Sequence, residues 1–332
     1  MAAGPEFSRL ARCFWRWSKR KEDLGSCEAS ATNAWKRLST GRGRGTPLGV
    51  EGALVLAAVL IGLNFVAIKV AVETIPPLLV GAFRFTLGGL VLLAFAQLTG
   101  RASRPTRRLL LVTFGIGLVG GTLYNITLTE GTSISSASNA ALIMATSPVW
   151  GMLLAAGFGV ERLRATSVIG AVVSLVGVVL ILGRGLEGSG SSLVGDLFVL
   201  VASVSLGAYV VLSRTQQRHY SPLTIAAYTI FFGGLAIFPF TPVELASWKW
   251  ESVSAVAWIA VGYMAFVSTA LGYGVWHWGI SRLGADRVLV YQYLITLTGV
   301  VSSIVVLREG FGLIKMLGAV VLLAGVYLAH RR

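Results

Sequence analysis

The chain has 332 residues, of which 55% are hydrophobic and 13% charged, half the charged share of a soluble globular protein, about 25%. Together with a mean hydropathy of +0.76, this excludes an ordinary cytosolic enzyme or a disordered protein and points to a chain whose solvent is mostly lipid. The 28 Lys and Arg against 14 Asp and Glu, net +14, suggest nucleic acid or an anionic membrane surface until the positions of the charges are read.

Residues 1–47 stand apart, with ten basic and four acidic residues. Phe7, Leu10, Phe14 and Trp17 recur at spacings of three and four among Arg9, Arg12, Arg16, Lys19 and Arg20. That pattern fits a basic amphipathic helix on a membrane surface; a disordered cytoplasmic tail or an organelle presequence fits the same residues. No continuous apolar stretch in residues 1–30 marks a cleavable signal peptide. The two cysteines, Cys13 and Cys27, both fall in this tail, so neither a disulfide framework nor a Cys-based metal site is expected.

From Leu48 onward, apolar runs long enough to cross roughly 30 Å of hydrocarbon alternate with short breaks. They predict ten membrane helices, at 50–71, 78–98, 109–128, 137–158, 166–182, 193–213, 222–240, 254–276, 287–307 and 312–329. Backbone hydrogen bonds must close internally in lipid, so an all-α bundle follows. With the N-terminus inside, 22 of the basic residues fall on inner segments. Lys69, Arg184, Lys249, Arg308 and Lys315 fall at outer ends, and Arg84 falls within a span. The positive-inside rule therefore places both termini in the cytoplasm. The basic excess is a topology signal that requires no nucleic acid.

The two halves align on each other. Gly62, Asn64, Lys69, Pro77, Gly88 and Gly89 match Gly207, Tyr209, Arg214, Pro222, Gly233 and Gly234 at a constant offset of 145. Gly131, Ala137, Glu161, Gly170 and Gly177 match Gly279, Ala285, Glu309, Gly318 and Gly325 at 148. Residues 48–183 and 193–330 thus read as two repeats of five helices each. An odd number of spans forces the second repeat into the membrane upside-down. Such inverted pairs surround a shared central cavity and place a binding site at the repeat interface.

Several motifs occur in order: Gly62-Leu-Asn-Phe-Val-Ala-Ile-Lys69, Pro76-Pro77, Arg84-Phe85, Asn139-Ala-Ala-Leu, Ser147-Pro148, Glu161-Arg-Leu, and Gly170 with Gly177. Over about residues 50–330 the chain resembles the EamA-type branch of the drug/metabolite transporter superfamily. The second copy departs from the pattern at Thr229 and Thr296, where the first has Arg84 and Pro148. The resemblance implies a ten-helix bundle with a central cavity and export of small metabolites, commonly amino acids.

Ionisable groups inside a membrane are costly and mark candidate sites. Arg84 lies six residues past Leu78, about 9 Å along a helix. Lys69, Glu73 and Glu130 are expected at outer depth. Arg84 and Lys69 form a cationic half-site for a substrate carboxylate or phosphate, or else Arg84 pairs with Glu130 or Glu73, tying helices together and working an outer gate. Glu161 and Glu309 stand at the start of the last helix of each half and are expected to complement its dipole. Helical spacing and the repeat together place Asn64, Asn125, Tyr209, Tyr273, Trp276, Gln292 and Thr296 on cavity-facing stripes, amides, hydroxyls and rings suited to a polar ligand with an apolar body. The same residue types also serve interhelical packing. Trp248, Trp250 and Trp258 read as an interfacial belt. No Asp or Glu is expected at mid-membrane, with Glu51, Asp196 and Asp286 near helix ends, so coupling falls to Glu73, Glu130 or His277, or the carrier is facilitative.

A membrane-embedded enzyme would need clustered Asp, His or Cys, and no such cluster is present in the sequence. No cofactor or metal is expected. The residues together point to a bacterial inner-membrane carrier, monomer or homodimer, that exports a small amphipathic metabolite by alternating access, an amino acid first. The alternative cargo is a cationic or aromatic drug.

Overall fold

The computed structural model describes residues 48–98, 105–159, 164–183, 192–217, 219–283, 288 and 290–330. The expectations for the tail, Glu161 and Asp286 lie outside the described residues, as does the side chain of His277. Among the described residues all regular structure is helical. Eight helices are long and apolar enough to cross a bilayer: α1 (Gly49–Val72), α2 (Pro77–Leu98), α3 (Arg107–Ile134), α4 (Ala137–Gly157), α5 (Ala165–Leu182), α6 (Leu193–Gln216), α7 (Pro222–Phe240) and α8 (Ala255–Ile280). Two shorter apolar helices follow, α9 (Tyr291–Val306) and α10 (Leu313–Ala329).

Helix starts follow local chemistry. The hydroxyls of Thr106, Ser136, Ser221 and Ser254 accept from the backbone N–H three residues on, and proline occupies the first turn after Thr146 and Ser221. These are the groups that satisfy or tolerate orphan N–H donors. Two lengths differ from expectation. α3 runs on to Ile134 through polar residues because Thr127 and Thr129 return their hydroxyls to the carbonyls of Leu123 and Asn125, four residues back. α9 has 16 residues, about 24 Å at 1.5 Å per residue. It stops ahead of Arg308, whose φ of 54° is left-handed and incompatible with continuing an α-helix.

The bundle is assembled from pairs with one helix from each half: α1 with α8, α2 with α7, α3 with α6, α4 with α9 and α5 with α10. Close approaches at glycines recur at matched positions. Gly88 of α2 meets Ala265 and Thr269 of α8, while Gly233 of α7 meets Gly117 and Gly121 of α3. Gly62 meets Ile295 and Gly299; Gly207 meets Ser147 and Gly151. In the α5–α10 pair Gly170 lies against Ala329 and Gly177 against Leu322, whereas Gly318 lies against Ile181 and Gly325 against Ser174. Residue numbers rise on α5 as they fall on α10, so these two helices run antiparallel. A Cβ at Gly177 or Gly325 would overlap the partner's backbone; these contacts require glycine.

π-helical segments interrupt α3 at Leu118–Leu123 and α8 at Tyr263–Leu271, also matched positions. Such segments re-aim side chains and free backbone groups where sites are built. On the perimeter, Val168, Ile169, Val172, Val176 and Val179 of α5 and Leu313, Leu317 and Val320 of α10 are exposed. Apolar patches of this extent need an apolar solvent; the chain is an integral membrane protein.

Candidate functional site

Seven residues into α2, Arg84 is 4% exposed. Its guanidinium lies 4.9 Å from the Phe85 ring, and its Nε and Nη1 find no hydrogen-bond acceptor among the described residues. Tyr273 of α8 lies within electrostatic reach of Arg84, of Tyr209 on α6 and of Tyr124 on α3. Four helices, two from each half, thus bring one cation and three phenols together. Tyr209 packs against Gly120 in the π-helical segment of α3, and the Tyr124 ring lies 5.9 Å from that of Phe85. One turn outward, Asn125 donates from Nδ2 to the Gly81 carbonyl at 2.8 Å. Its Oδ1, with Asn64 Oδ1 and Thr229 Oγ1, is buried and unpartnered among the described residues.

This geometry sorts the residues expected from sequence. Arg84, Tyr209 and Tyr273 converge, with Asn125 adjacent. Asn64 is buried just past the break at Leu63 in α1. Trp276 is half-buried and packs against both the main core and the small cluster of Val50, Leu54 and Val288. Thr296 returns its hydroxyl to the Gln292 carbonyl on its own helix, 3.2 Å, and Gln292 is half-buried. Tyr124 was missed: its spacing on α3 is unremarkable, and only the fold brings it beside Phe85.

The ion pair between Arg84 and Glu130 or Glu73 is not formed. The bond from Asn125 to Gly81 puts those residues level. Glu130 lies five residues outward of Asn125 and Arg84 three residues inward of Gly81, which separates them by about 12 Å along the helix axes. Glu130 is half-buried beside Glu244. Glu73 is exposed and lines an open recess of about 370 Å³ with Thr74, Pro76, Trp248 and Lys249. Trp248 donates from Nε1 to the Thr74 carbonyl at 3.0 Å. It lies 4.1 Å from Trp250, which stacks on Trp258 at 6.4 Å.

A second polar centre clasps the turn between α3 and α4. Lys69 of α1 donates to the carbonyls of Thr132, Ser133 and Ser135 at 3.0, 2.9 and 2.5 Å, a cation at the negative end of α3. Asp196 of α6, 0% exposed, accepts from Ser135 Oγ and from Asn139 Nδ2, the latter at 3.0 Å. Glu309 accepts from the amides of Ala137 and Ser138 at 2.7 and 3.0 Å and from Ser138 Oγ. Lys315 of α10, 8% exposed, donates to the hydroxyls of Ser136 and Ser138. Glu309 therefore caps α4. It does not open the last helix, as its sequence position suggests, because α10 begins only at Leu313. The matching residue for Lys69 at the opposite end, Arg214, is exposed.

Among the described residues outside the spans, Glu244, in the short helix Pro242–Ser247, has a shifted titration. Burial raises its carboxyl above the ordinary range, and bonds from the Leu78 and Leu79 amides at the start of α2 partly offset that.

Comparisons with known proteins agree with this architecture. A solved crystal structure superposes with a TM-score of 0.59 at 20% identity, covering 86% of this chain and 98% of that one. The chain is 26% identical to a protein of Salmonella typhimurium named "Probable amino-acid metabolite efflux pump", covering 84% of this chain and 94% of that protein. It is 28% identical to a "Probable terminal-alkyne amino-acid exporter" of Streptantibioticus cattleyicolor, covering 84% and 93%, and 25% identical to an "Uncharacterized transporter" of Archaeoglobus fulgidus, covering 84% and 98%. The model of the EamA-like transporter family matches twice, at residues 50–183 and 193–331. With both halves matched, the chain belongs to the EamA-like transporter family.

Proposed function

We propose that this protein is a secondary carrier that exports a small amphipathic metabolite, an amino acid or close derivative, by alternating access. The observation that carries the reading is Arg84. A guanidinium stays protonated at all accessible pH, and burying it unpaired costs several kcal/mol. A cargo carboxylate supplies the missing acceptor, and the phenols of Tyr124, Tyr209 and Tyr273 suit an apolar body. Asn64 and Asn125 offer amide oxygens to the cargo's N–H groups. The names of two relatives, both concerned with amino acids, support this class. A buried guanidinium counts against lipophilic cations, the alternative cargo.

The carrier geometry is proposed as two inverted five-helix repeats, 48–183 and 193–330, with α9 and α10 completing ten spans. Support comes from the glycine contacts. The contacts of Gly88 and Gly233, of Gly62 and Gly207, and of the α5 and α10 glycines are counterparts with the halves exchanged, and the α5–α10 pair is antiparallel, as a two-fold axis in the membrane plane requires. The clasped α3–α4 turn supports a conformation closed at the outer end. Lys69, Glu309, Asp196 and Lys315 would then act at the gate, with Glu73 and Glu130 nearby.

Counterflow in proteoliposomes tests the reading. Unlabelled amino acids or N-acylated amino acids preloaded inside should accelerate uptake of the labelled compound, and Arg84→Gln should abolish the effect. Labelled uptake that ignores preloading would mean a pore. Full counterflow in Arg84→Gln would remove the carboxylate contact.

A further inference from the structure

We infer that the cargo carries one net negative charge and that export is driven by the membrane potential. This rests on the carrier reading and specifies its energy source.

The central cluster holds one fixed charge. Arg84 cannot lose its proton, and among the described residues no carboxylate shares the cluster. Glu51 lies by Tyr291 at the inner end, and Glu130 is displaced by about 12 Å along the helix axes. Asp196 and Glu309 are committed to the α3–α4 turn, and Glu73 and Glu251 are exposed. The phenols are neutral, as are Asn64, Asn125 and Thr229, whose side-chain oxygens are buried and unpartnered among the described residues.

Charge balance then discriminates between cargoes. A zwitterion placed here leaves the site at +1, as it was when empty. A monoanion neutralises it, so the guanidinium gains its counter-charge and the loaded carrier crosses as a neutral complex. A cation would double the charge in a low-dielectric interior. The preferred cargo is therefore a monocarboxylate with an apolar body, such as an N-acylated amino acid.

Energy coupling follows from the same arithmetic. Carrying one negative charge out of a cell whose interior is negative is downhill, by about 50-fold in concentration ratio per 100 mV. The returning empty carrier holds the +1 of Arg84, which the same potential draws inward. No titratable carrier is needed in the pathway, in keeping with the cluster's lack of a carboxylate.

The test uses the full-length protein in liposomes with a potassium gradient and valinomycin. Three probes share one body: N-acetylphenylalanine (−1), phenylalanine (zwitterion) and phenylalaninamide (+1). Labelled N-acetylphenylalanine should accumulate on the positive side, approaching about 50-fold at 100 mV. It should equilibrate at zero potential whatever the pH gradient, and protein-free liposomes should show neither effect. Accumulation that follows a pH gradient at zero potential would overturn the inference. If phenylalanine or phenylalaninamide shows counterflow and the monoanion does not, the carrier reading stands and the monoanion inference falls. Silence of all three removes both. Wild-type protein alone decides these outcomes, so a misfolded Arg84→Gln leaves the test intact. A folded Arg84→Gln should lose the preference for the monoanion.

Discussion

Glu309→Gln is the sharpest probe of the proposed outer closure. Two carboxylate oxygens receive three hydrogen bonds, from the amides of Ala137 and Ser138 and from the Ser138 hydroxyl. Glutamine can keep the bond to Ala137, but its NH₂ then faces the Ser138 donors. Hydrogen bonds to charged groups contribute about 1.5–3 kcal/mol each, and an unsatisfied buried donor costs about 1–3 kcal/mol. Because these terms overlap, the closed turn should be weakened by about 2–4 kcal/mol, a shift toward the open state of roughly 30- to 900-fold. Thr132→Cys reports on it, since Thr132 is fully buried in the closed turn. With Cys13 and Cys27 replaced by serine, a membrane-impermeant maleimide added outside should label Thr132→Cys much faster when Glu309→Gln is also present. Labelling rates within twofold of each other, with both proteins folded, would refute the view that Glu309 holds the turn shut.

Lys69→Met removes the cation from the C-terminal carbonyls of α3 and should lower the melting temperature by the equivalent of about 1–3 kcal/mol; Lys69→Arg should recover part of that loss. Gly177→Leu and Gly325→Leu should each destabilise the α5–α10 contact, by about 1–3 kcal/mol or more. The two effects should be similar, because each side chain would meet the other helix's backbone at matched positions; thermal unfolding in detergent measures both. Glu244 gives a pH test. Its carboxyl titrates above the ordinary value of 4.5 when folded, so the native state binds the proton more tightly than the unfolded chain does. Its contribution to stability is fully present below that value and falls as pH rises through the elevated folded value. The melting temperature of Glu244→Gln relative to wild type should therefore increase from acidic to alkaline pH, and a constant difference would contradict the assignment.

Much of the fold was legible because lipid makes its demands openly. A run of apolar residues spells a helix. The glycines behind the proposed repeat, such as Gly88 and Gly233, stand at close helix contacts, which admit little else. Arg84 stood out as a cation within an apolar run. The clasp around the α3–α4 turn was hidden. Asp196 looked like an ordinary residue in the first turn of α6, and Lys315 like a flanking cation. Their burial follows from the packing of α6 and α10 on residues 135–139, which no local pattern announces. Glu309 was visible as a matched acid, yet its target belongs to the other half. Tyr124 joined the cluster through Phe85 and Tyr273, contacts that helical spacing does not encode.

Side-specific labelling tests the central arrangement, two halves lying upside-down to each other around Arg84. Single cysteines at Leu78 and Leu223 mark the starts of α2 and α7, equivalent points in the two repeats. The account predicts that an impermeant maleimide reaches Leu78→Cys only from outside and Leu223→Cys only from the cytoplasmic side. Labelling of both from one side would make the repeats parallel and contradict it.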